Sequence, residues 1–465
     1  MSTLEPFSFR IADRLRGVDS SPVRDLLEVV SKEGVISFAG GVPDPAYFEV
    51  DDIKAAYEWV FANHPARALQ YASSEGELEL REQAARRVSR HLPTTADQVQ
   101  VTTGSQEGLF VVAQALVNPG DVILVERPTY LAAVQAFDLN GAHMVGVPTD
   151  EHGVVPEELE RLIAEHNPTF VYLIPSFQNP SGICMPVERR RAVADVLLRT
   201  GTALVEDDPY GELCYTGEPM APIASLPGMS AQTILLNSVS KIIAPGVRIG
   251  WMRSEGPIQF TLTVAKQAIG LQSPVPDQLA VARYLATADV EAHLERVRPV
   301  YAERARAMYA ELEAVLPRDA HITRPDGGMF LWVRLGHEID TARLLPFAVE
   351  EGVAFVPGAS FYAHDPDEST MRLSFVTHAP DVIHEGVQRL GRALARYGEL
   401  WTSTPWNTAA DPHGRRRADP PVPATERIPH ECETPSRAPA GGDAAADAER
   451  RRTPRGRRGA RADPA

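Results

Sequence analysis

The sequence predicts an α/β protein: a mostly parallel central sheet with flanking helices, a smaller α+β C-terminal domain, and a disordered C-terminal tail. Three observations carry this. Short β-branched runs alternate with helix-period segments through the middle of the chain. After Pro276 that alternation gives way to a long helical stretch, then strands and helices in a different order. From about residue 405 apolar periodicity stops. Strands alternating with helices are joined by crossovers, which give parallel pairs covered on both faces.

Taken in order, the predicted strands are DVILVE (121–126), AHMVGVP (142–148), TFVYLIP (169–175), TALVEDD (202–208), TILLNS (233–238) and VRIGWM (247–252). Each is bounded by turn residues. The helical patterns between them include QEGLFVVAQALV (106–117), PEELERLIAEH (156–166) and VERRRAVADVLLRT (187–200). A long helical stretch follows over 277–316, with a bend expected at Pro299. GGMFLWVRL (327–335), a helix around TARLLPFAVEEG, VAFVPG (353–358), MRLSFV (371–376) and a last helix to about Tyr397 complete the second unit. The expected division is an N-terminal arm over 1–47 at the site entrance, a large domain over 48–290, a small domain over 291–402, and a tail over 403–465. The tail is rich in Pro, Ala, Gly and Arg, too poor in apolar residues to offset its ordering entropy. Its clusters Arg415-Arg416-Arg417 and Arg450-Arg451-Arg452 read as solvated charge.

Composition narrows the function. A chain of 465 residues with net charge −16 is an unsuitable body for nucleic acid, and its 44 % hydrophobic content is that of a globular protein. Three scattered cysteines, Cys184, Cys214 and Cys432, predict neither a disulfide framework nor a metal site. The N-terminal MSTLEPFSFR lacks a signal-peptide core, and no run of about 18 apolar residues occurs. No membrane association and a cytoplasmic location are therefore expected.

In an open α/β sheet, ligands bind beyond the carboxyl ends of the strands. Four predicted strands each end in polar groups: Arg127-Pro128-Thr129-Tyr130, Ser176-Phe177-Gln178-Asn179-Pro180, Asp207-Asp208-Pro209-Tyr210 and Ser238-Val239-Ser240-Lys241. Singly these read as a turn aromatic, a turn starter, a helix cap and a lysine with its amine in water. Together they outline one rim. A turn at Ala244-Pro245-Gly246 would fold 247–252 back along the strand before Lys241, bringing Arg248 beside Ser238 and Ser240. Two hydroxyls and a guanidinium make a phosphate clamp. Gly104-Ser105-Gln106 opens a helix whose free N–H groups favour an anion, without the spacing of a P-loop. A lysine beside such a clamp, in partly apolar surroundings, is an amine of lowered pKa suited to forming an imine. The cofactor with both phosphate and aldehyde is pyridoxal 5′-phosphate, and Asp207 is the candidate carboxylate for its ring nitrogen.

Ten stretches carry a family resemblance. They are SPVR (21–24), ISFAGGVPDP (36–45), LQYASSEG (69–76), VTTGSQEGL (101–109), ERPTY (126–130), PSFQNPSG (175–182), VEDDPYGEL (205–213), NSVSKIIAPGVRIGW (237–251), DGGMFLWV (326–333) and RLSF (372–375). In these, over Ser21 to Tyr397, the chain resembles the fold-type I PLP-dependent aminotransferases, class I/II, in the 2-aminoadipate and kynurenine aminotransferase branch. It is also similar to the enzyme-like domain of MocR-type regulators, but a match beginning near residue 21 leaves no room for their winged-helix domain.

The resemblance implies the PLP transferase fold and a ping-pong transfer of nitrogen from an L-amino acid to a 2-oxo acid through a Lys241 Schiff base. It implies that Asp207 pairs with the ring nitrogen, Asn179 and Tyr210 bond the ring oxygen, and Tyr130 stacks on the ring. Gly104, Ser105, Gln106, Ser238, Ser240 and Arg248 would surround the phosphate, with Tyr71 reaching the phosphate of a second subunit in a homodimer. Arg372 would clamp the substrate carboxylate with help from Asn179, Gly41 would pass close to the substrate, and Arg24 would meet its side chain. The same fold also supports PLP-dependent decarboxylase, lyase or oxidase chemistry, the alternative reading. Where the family commonly has Gly-Ser-Phe-Ser-Lys-Thr, this chain reads Asn237-Ser238-Val239-Ser240-Lys241-Ile242. Valine is expected to loosen packing beneath the cofactor, and Asn237 to add a polar group near the phosphate.

Overall fold

The computed structural model describes residues 9–15 and 34–403. Arg24, the SPVR stretch and the tail beyond Ser403 lie outside the described residues. The strands in chain order are β1 (Ile36–Ser37), β2 (Val99–Thr102), β3 (Val122–Arg127), β4 (His143–Asp150), β5 (Gly153–Val154), β6 (Phe170–Leu173) and β7 (Ala203–Asp207). They continue with β8 (Thr233–Ser238), β9 (Gly250–Arg253), β10 (His321–Ile322), β11 (Phe330–Arg334), β12 (Val353–Ala354), β13 (Val356–Pro357) and β14 (Thr370–Ser374).

The large sheet has the order β2-β9-β8-β7-β6-β3-β4-β5. Its centre is parallel, from β4 through β3, β6 and β7 to β8. β9 runs antiparallel to both β8 and β2, and β5 antiparallel to β4. The reason is local. Between β8 and β9 the chain has only two single-turn 3₁₀ segments, Val239–Lys241 and Pro245–Val247, too short for a crossover, so the chain must return alongside itself. Side chains on the central strands alternate between two apolar cores. Ile123, Val125, Phe170, Tyr172 and Val205 belong to one, and Leu124, Val171, Leu173 and Leu204 to the other. A sheet buried on both faces explains why these strands read as unbroken apolar runs.

A four-stranded antiparallel sheet, β10-β11-β14-β13, forms from the C-terminal half, and β1 pairs in parallel with β12. The N-terminal arm is thus held on the C-terminal part: Phe38 N–H donates to Ala354 O and its carbonyl accepts from Ser374 N–H. The long helical stretch expected over 277–316 is two helices. The helix Val290–Val315 runs through Pro299, and the long stretch breaks earlier, after the helix Val275–Thr287. Asp289 caps the new start by accepting from Ala292 N–H at 2.9 Å. Two further boundaries move. The strand expected at 247–252 begins at Gly250, and β2 was not anticipated, its four residues being too few to show a period. Among the described residues no helix is long and apolar enough to cross a membrane.

Candidate active site

β2, β3, β6, β7 and β8 point their carboxyl ends at one edge of the large sheet, and β9 begins there. A cavity of about 330 Å³ opens at that edge, closed on its far side by Gly41, Phe330 and Arg372. Strand direction alone therefore gathers residues more than 100 positions apart in the chain.

Lys241 follows β8 in a 3₁₀ turn rather than on the strand. Its Nζ donates to Gly41 O at 2.7 Å. Burial, and then the positive charges of Arg372 and Arg248, lower its pKa to about 8. Asp207 ends β7 and is buried. Tyr172 Oη donates to its Oδ2 at 3.0 Å, whereas Oδ1 is buried with no protein partner. Burial pushes the carboxyl up to about 7, opposed by the Tyr172 hydrogen bond and reinforced by Asp208.

Arg372, on β14, is buried. Its Nη1 donates to Asn179 Oδ1 at 2.9 Å and its Nη2 to Ala39 O at 2.8 Å, while Nε has no partner. Its guanidinium lies 4.3 Å from the Phe330 ring centroid and 5.0 Å from that of Phe361, a stack that orients the fork. Burial lowers its pKa to about 10, a value that leaves it charged. Asn179 Nδ2 in turn donates to Tyr210 Oη at 3.3 Å. Tyr130 lines the cavity with its phenol pKa raised by burial. The Arg372 guanidinium, the Asn179 amide and the Tyr210 phenol form one connected polar wall.

The opposite end is built to receive an anion. Ser105 begins the helix Ser105–Leu116, and Ser105 Oγ and Gln106 Oε1 are buried without partners. Gly104 caps that helix at φ +75°, where a Cβ would sit 2.6 Å from Arg248 Nη2. Ser238 Oγ donates to Ser240 Oγ at 2.7 Å, and Ser240 N–H donates to Ser238 Oγ at 3.1 Å. Arg248, at φ +50°, donates to Pro245 O and Thr103 O, both at 3.3 Å. Three cations, Lys241, Arg248 and Arg372, thus face one buried carboxylate across the cavity. That balance suits a ligand bearing a phosphate, a carboxylate and a protonated ring nitrogen. Three orphaned atoms, Asp207 Oδ1, Ser105 Oγ and Arg372 Nε, are the contacts such a ligand would complete.

Of the residues predicted from sequence, the structure brings Gly41, Ser105, Gln106, Tyr130, Asn179, Asp207, Tyr210, Ser238, Ser240, Lys241, Arg248 and Arg372 to this cavity, with Gly104 against Arg248. Tyr71 does not line it and is 78 % exposed. Arg24 lies outside the described residues. The expectation for Asn237 is corrected. Its amide donates to Asp208 O at 3.0 Å and lines a different cavity, beside its cross-strand neighbour Trp251. Strand alternation sends it there, and Ile242 follows it. Val239 is fully buried in the core. Sequence reasoning missed Tyr172 and Phe330, whose only signals were a hydroxyl in a buried strand and an aromatic after Gly327-Gly328.

The family model for aminotransferase class I and II matches residues 36–390. An aromatic-amino-acid aminotransferase of Thermococcus litoralis is 37 % identical over 390 residues, covering 82 % of this chain and 93 % of that protein. A 2-aminoadipate transaminase of Thermus thermophilus is 38 % identical over 384 residues, covering 81 % and 94 %. The crystal structure of α-aminoadipate aminotransferase from Thermus thermophilus, complexed with N-(5′-phosphopyridoxyl)-L-leucine, superposes with TM-score 0.79 at 35 % identity, covering 84 % of this chain and 98 % of that one. The clamp, the low-pKa lysine and the buried carboxylate thus stand within a chain that belongs to the class I and II aminotransferases.

Proposed function

We propose that the chain moves the amino group of an L-amino acid to a 2-oxo acid at this cavity, with pyridoxal 5′-phosphate held by the residues above. As a class I and II aminotransferase it is a transferase acting on amino and oxo acids. The observation that carries the site assignment is the Lys241 amine, buried and lowered in pKa, between a phosphate clamp and an ionisable Asp207 with one free oxygen.

When bound, the cofactor supplies an aldehyde carbon and an electron-accepting ring. Lys241 would hold it through Nζ and, as a neutral amine, would carry the proton lost from the substrate Cα. Arg248, Ser105, Ser238 and Ser240, with the helix start at Gln106, would hold the phosphate, Gly104 leaving space for the guanidinium. Asp207 Oδ1, free of protein partners, would hold the protonated ring nitrogen. Asn179 and Tyr210 would bond the ring oxygen, and Tyr130 would cover the ring. Arg372 holds the α-carboxylate of both donor and acceptor, so one clamp serves both half-reactions. Gly41 lets the arm approach the substrate; a Cβ there would lie 2.9 Å from Phe330 Cζ. Val42, Leu131 and Phe330 give the cavity an apolar wall suited to aromatic or long aliphatic side chains. Arg24 is the proposed contact for an acidic one.

The domain reading is a large cofactor-binding part to about residue 290 and a small part beyond it, with the N-terminal arm joined to the small part through β1 and β12. Exposed Leu69, Tyr71, Phe260 and Leu271 support a homodimer in which Tyr71 reaches the partner's site. A cytoplasmic location accords with the sequence. The test is a donor-by-acceptor screen of the PLP-loaded protein by mass spectrometry, with oxygen and carbon dioxide followed. Amino transfer to 2-oxoglutarate or pyruvate is expected. Carbon dioxide release or oxygen uptake without an acceptor would replace transamination by the decarboxylase or oxidase alternative.

A further inference from the structure

We propose that Tyr172 is a positioning residue for Asp207, holding one carboxylate oxygen so that the other faces the cofactor ring. The proposal rests on the reading of Asp207 given above. β6 and β7 are parallel neighbours with Tyr172 opposite Val205. Side chains alternate along a strand, so Asp207 lies on the same face as Val205, one repeat nearer the cavity. The Tyr172 ring is fully buried, and Phe137 meets it edge-on with centroids 5.4 Å apart at 76°. Packed in this way, the ring delivers its hydroxyl to Asp207 Oδ2 at 3.0 Å and leaves Oδ1 unpartnered.

The choice of donor matters. Among the described residues no cation forms an ion pair with Asp207, and Tyr172 makes its one protein side-chain hydrogen bond. A lysine or arginine there would neutralise the carboxylate and weaken its hold on a protonated ring nitrogen. A phenol orients the carboxylate and favours its ionised form without adding charge. Its own pKa is raised well above the usual value by burial and by Asp207, so it remains a donor through the working pH range. The other ionisable groups around Asp207 are Asp208, Tyr130 and Tyr210, with Lys241, Arg248 and Arg372 across the cavity.

The experiment compares wild type, Tyr172→Phe, Asp207→Asn and Val205→Ala as purified holoenzymes. It measures the PLP dissociation constant by equilibrium dialysis and kcat and KM from pH 5 to 10. Tyr172→Phe removes only the hydroxyl. It should weaken PLP binding and lower kcat by about tenfold each, the worth of a hydrogen bond to a charged group. KM for the amino donor should change by less than about twofold, since donor contacts are intact. Losing the donor raises the Asp207 pKa, so the acid limb of kcat should move to higher pH. Val205→Ala loosens the same face but keeps the hydroxyl, and its acid limb should stay in place. If Tyr172→Phe keeps the wild-type PLP constant and acid limb while Asp207→Asn loses both, the positioning role is overturned. An equal shift of the limb in Val205→Ala would overturn it too, as an effect of packing. If Asp207→Asn itself binds PLP and turns over like wild type, the underlying reading of Asp207 fails instead.

Discussion

Lys241 is a cation placed among cations and away from water, and both facts lower its pKa to about 8. Replacing Arg372 by Leu removes one of those charges, so the Lys241 pKa should rise. The pH profile of amine labelling at Nζ in the apoprotein should move upward with it, and an unmoved profile would leave burial and Arg248 as the causes. Arg372→Lys keeps a charge but loses the fork that reaches Asn179 and Ala39 together. The expected loss is about 1.5–3 kcal/mol of binding to donor and acceptor alike, read as raised KM for both. Glu126 tests burial away from the chemistry. It is fully buried, accepts from Ile174 N–H at 2.8 Å, and burial pushes its pKa up to about 8. A carboxyl whose folded pKa is raised stabilises most below its ordinary value of 4.5, and that contribution fades as pH rises through about 8. Glu126→Gln should therefore gain in melting temperature relative to wild type between pH 6 and pH 9. At this scale the sequence was informative because Lys241, Asp207 and Asn179 combine chemistry with a place at or beyond the end of a strand. Tyr172 was not legible, since a tyrosine in an apolar strand reads equally well as core.

At the scale of elements, turns and helix starts place the site. Gly104 joins β2 to the helix Ser105–Leu116 in a backbone conformation that L-residues seldom adopt, and any side chain would strike Arg248. Gly104→Ala should cost about 1–3 kcal/mol from backbone strain alone. It should also weaken PLP binding by displacing the guanidinium. A melt with a PLP titration checks both, and unchanged PLP affinity would remove Gly104 from the clamp. The helix Val290–Val315 offers a contrast without chemistry. Asp289→Ala should lower stability by about 1 kcal/mol through loss of its cap, with activity retained. The central strands and the helices between them were legible because each is long enough to show a period. β2, β5 and β10 were not, since two to four residues leave propensity no room to act and pairing with neighbours decides them. Pro299 lies inside the helix Val290–Val315, where packing holds a helix through a residue that removes one backbone donor.

Across the molecule, the cavity is shared between the large sheet, the four-stranded sheet and the arm, so cofactor and substrate binding should stabilise the chain as a whole. In the proposed homodimer, Phe260→Asp with Leu271→Asp should shift the protein to monomer in sedimentation and loosen PLP, because Tyr71 would no longer reach the partner's site. A dimer unaffected by both changes would move the interface elsewhere. The amino-acid order alone determined the strand alternation, the rim of polar residues at strand ends and the type of cofactor. These follow from residue chemistry and local period, and both are written along the chain. Only the tertiary structure decided that Asn237 turns away from the cavity, that Arg372 and Ala39 meet, and that Tyr172 holds Asp207. Those depend on register and on which strands become neighbours, quantities set by burial of two shared cores and not by any short stretch of sequence.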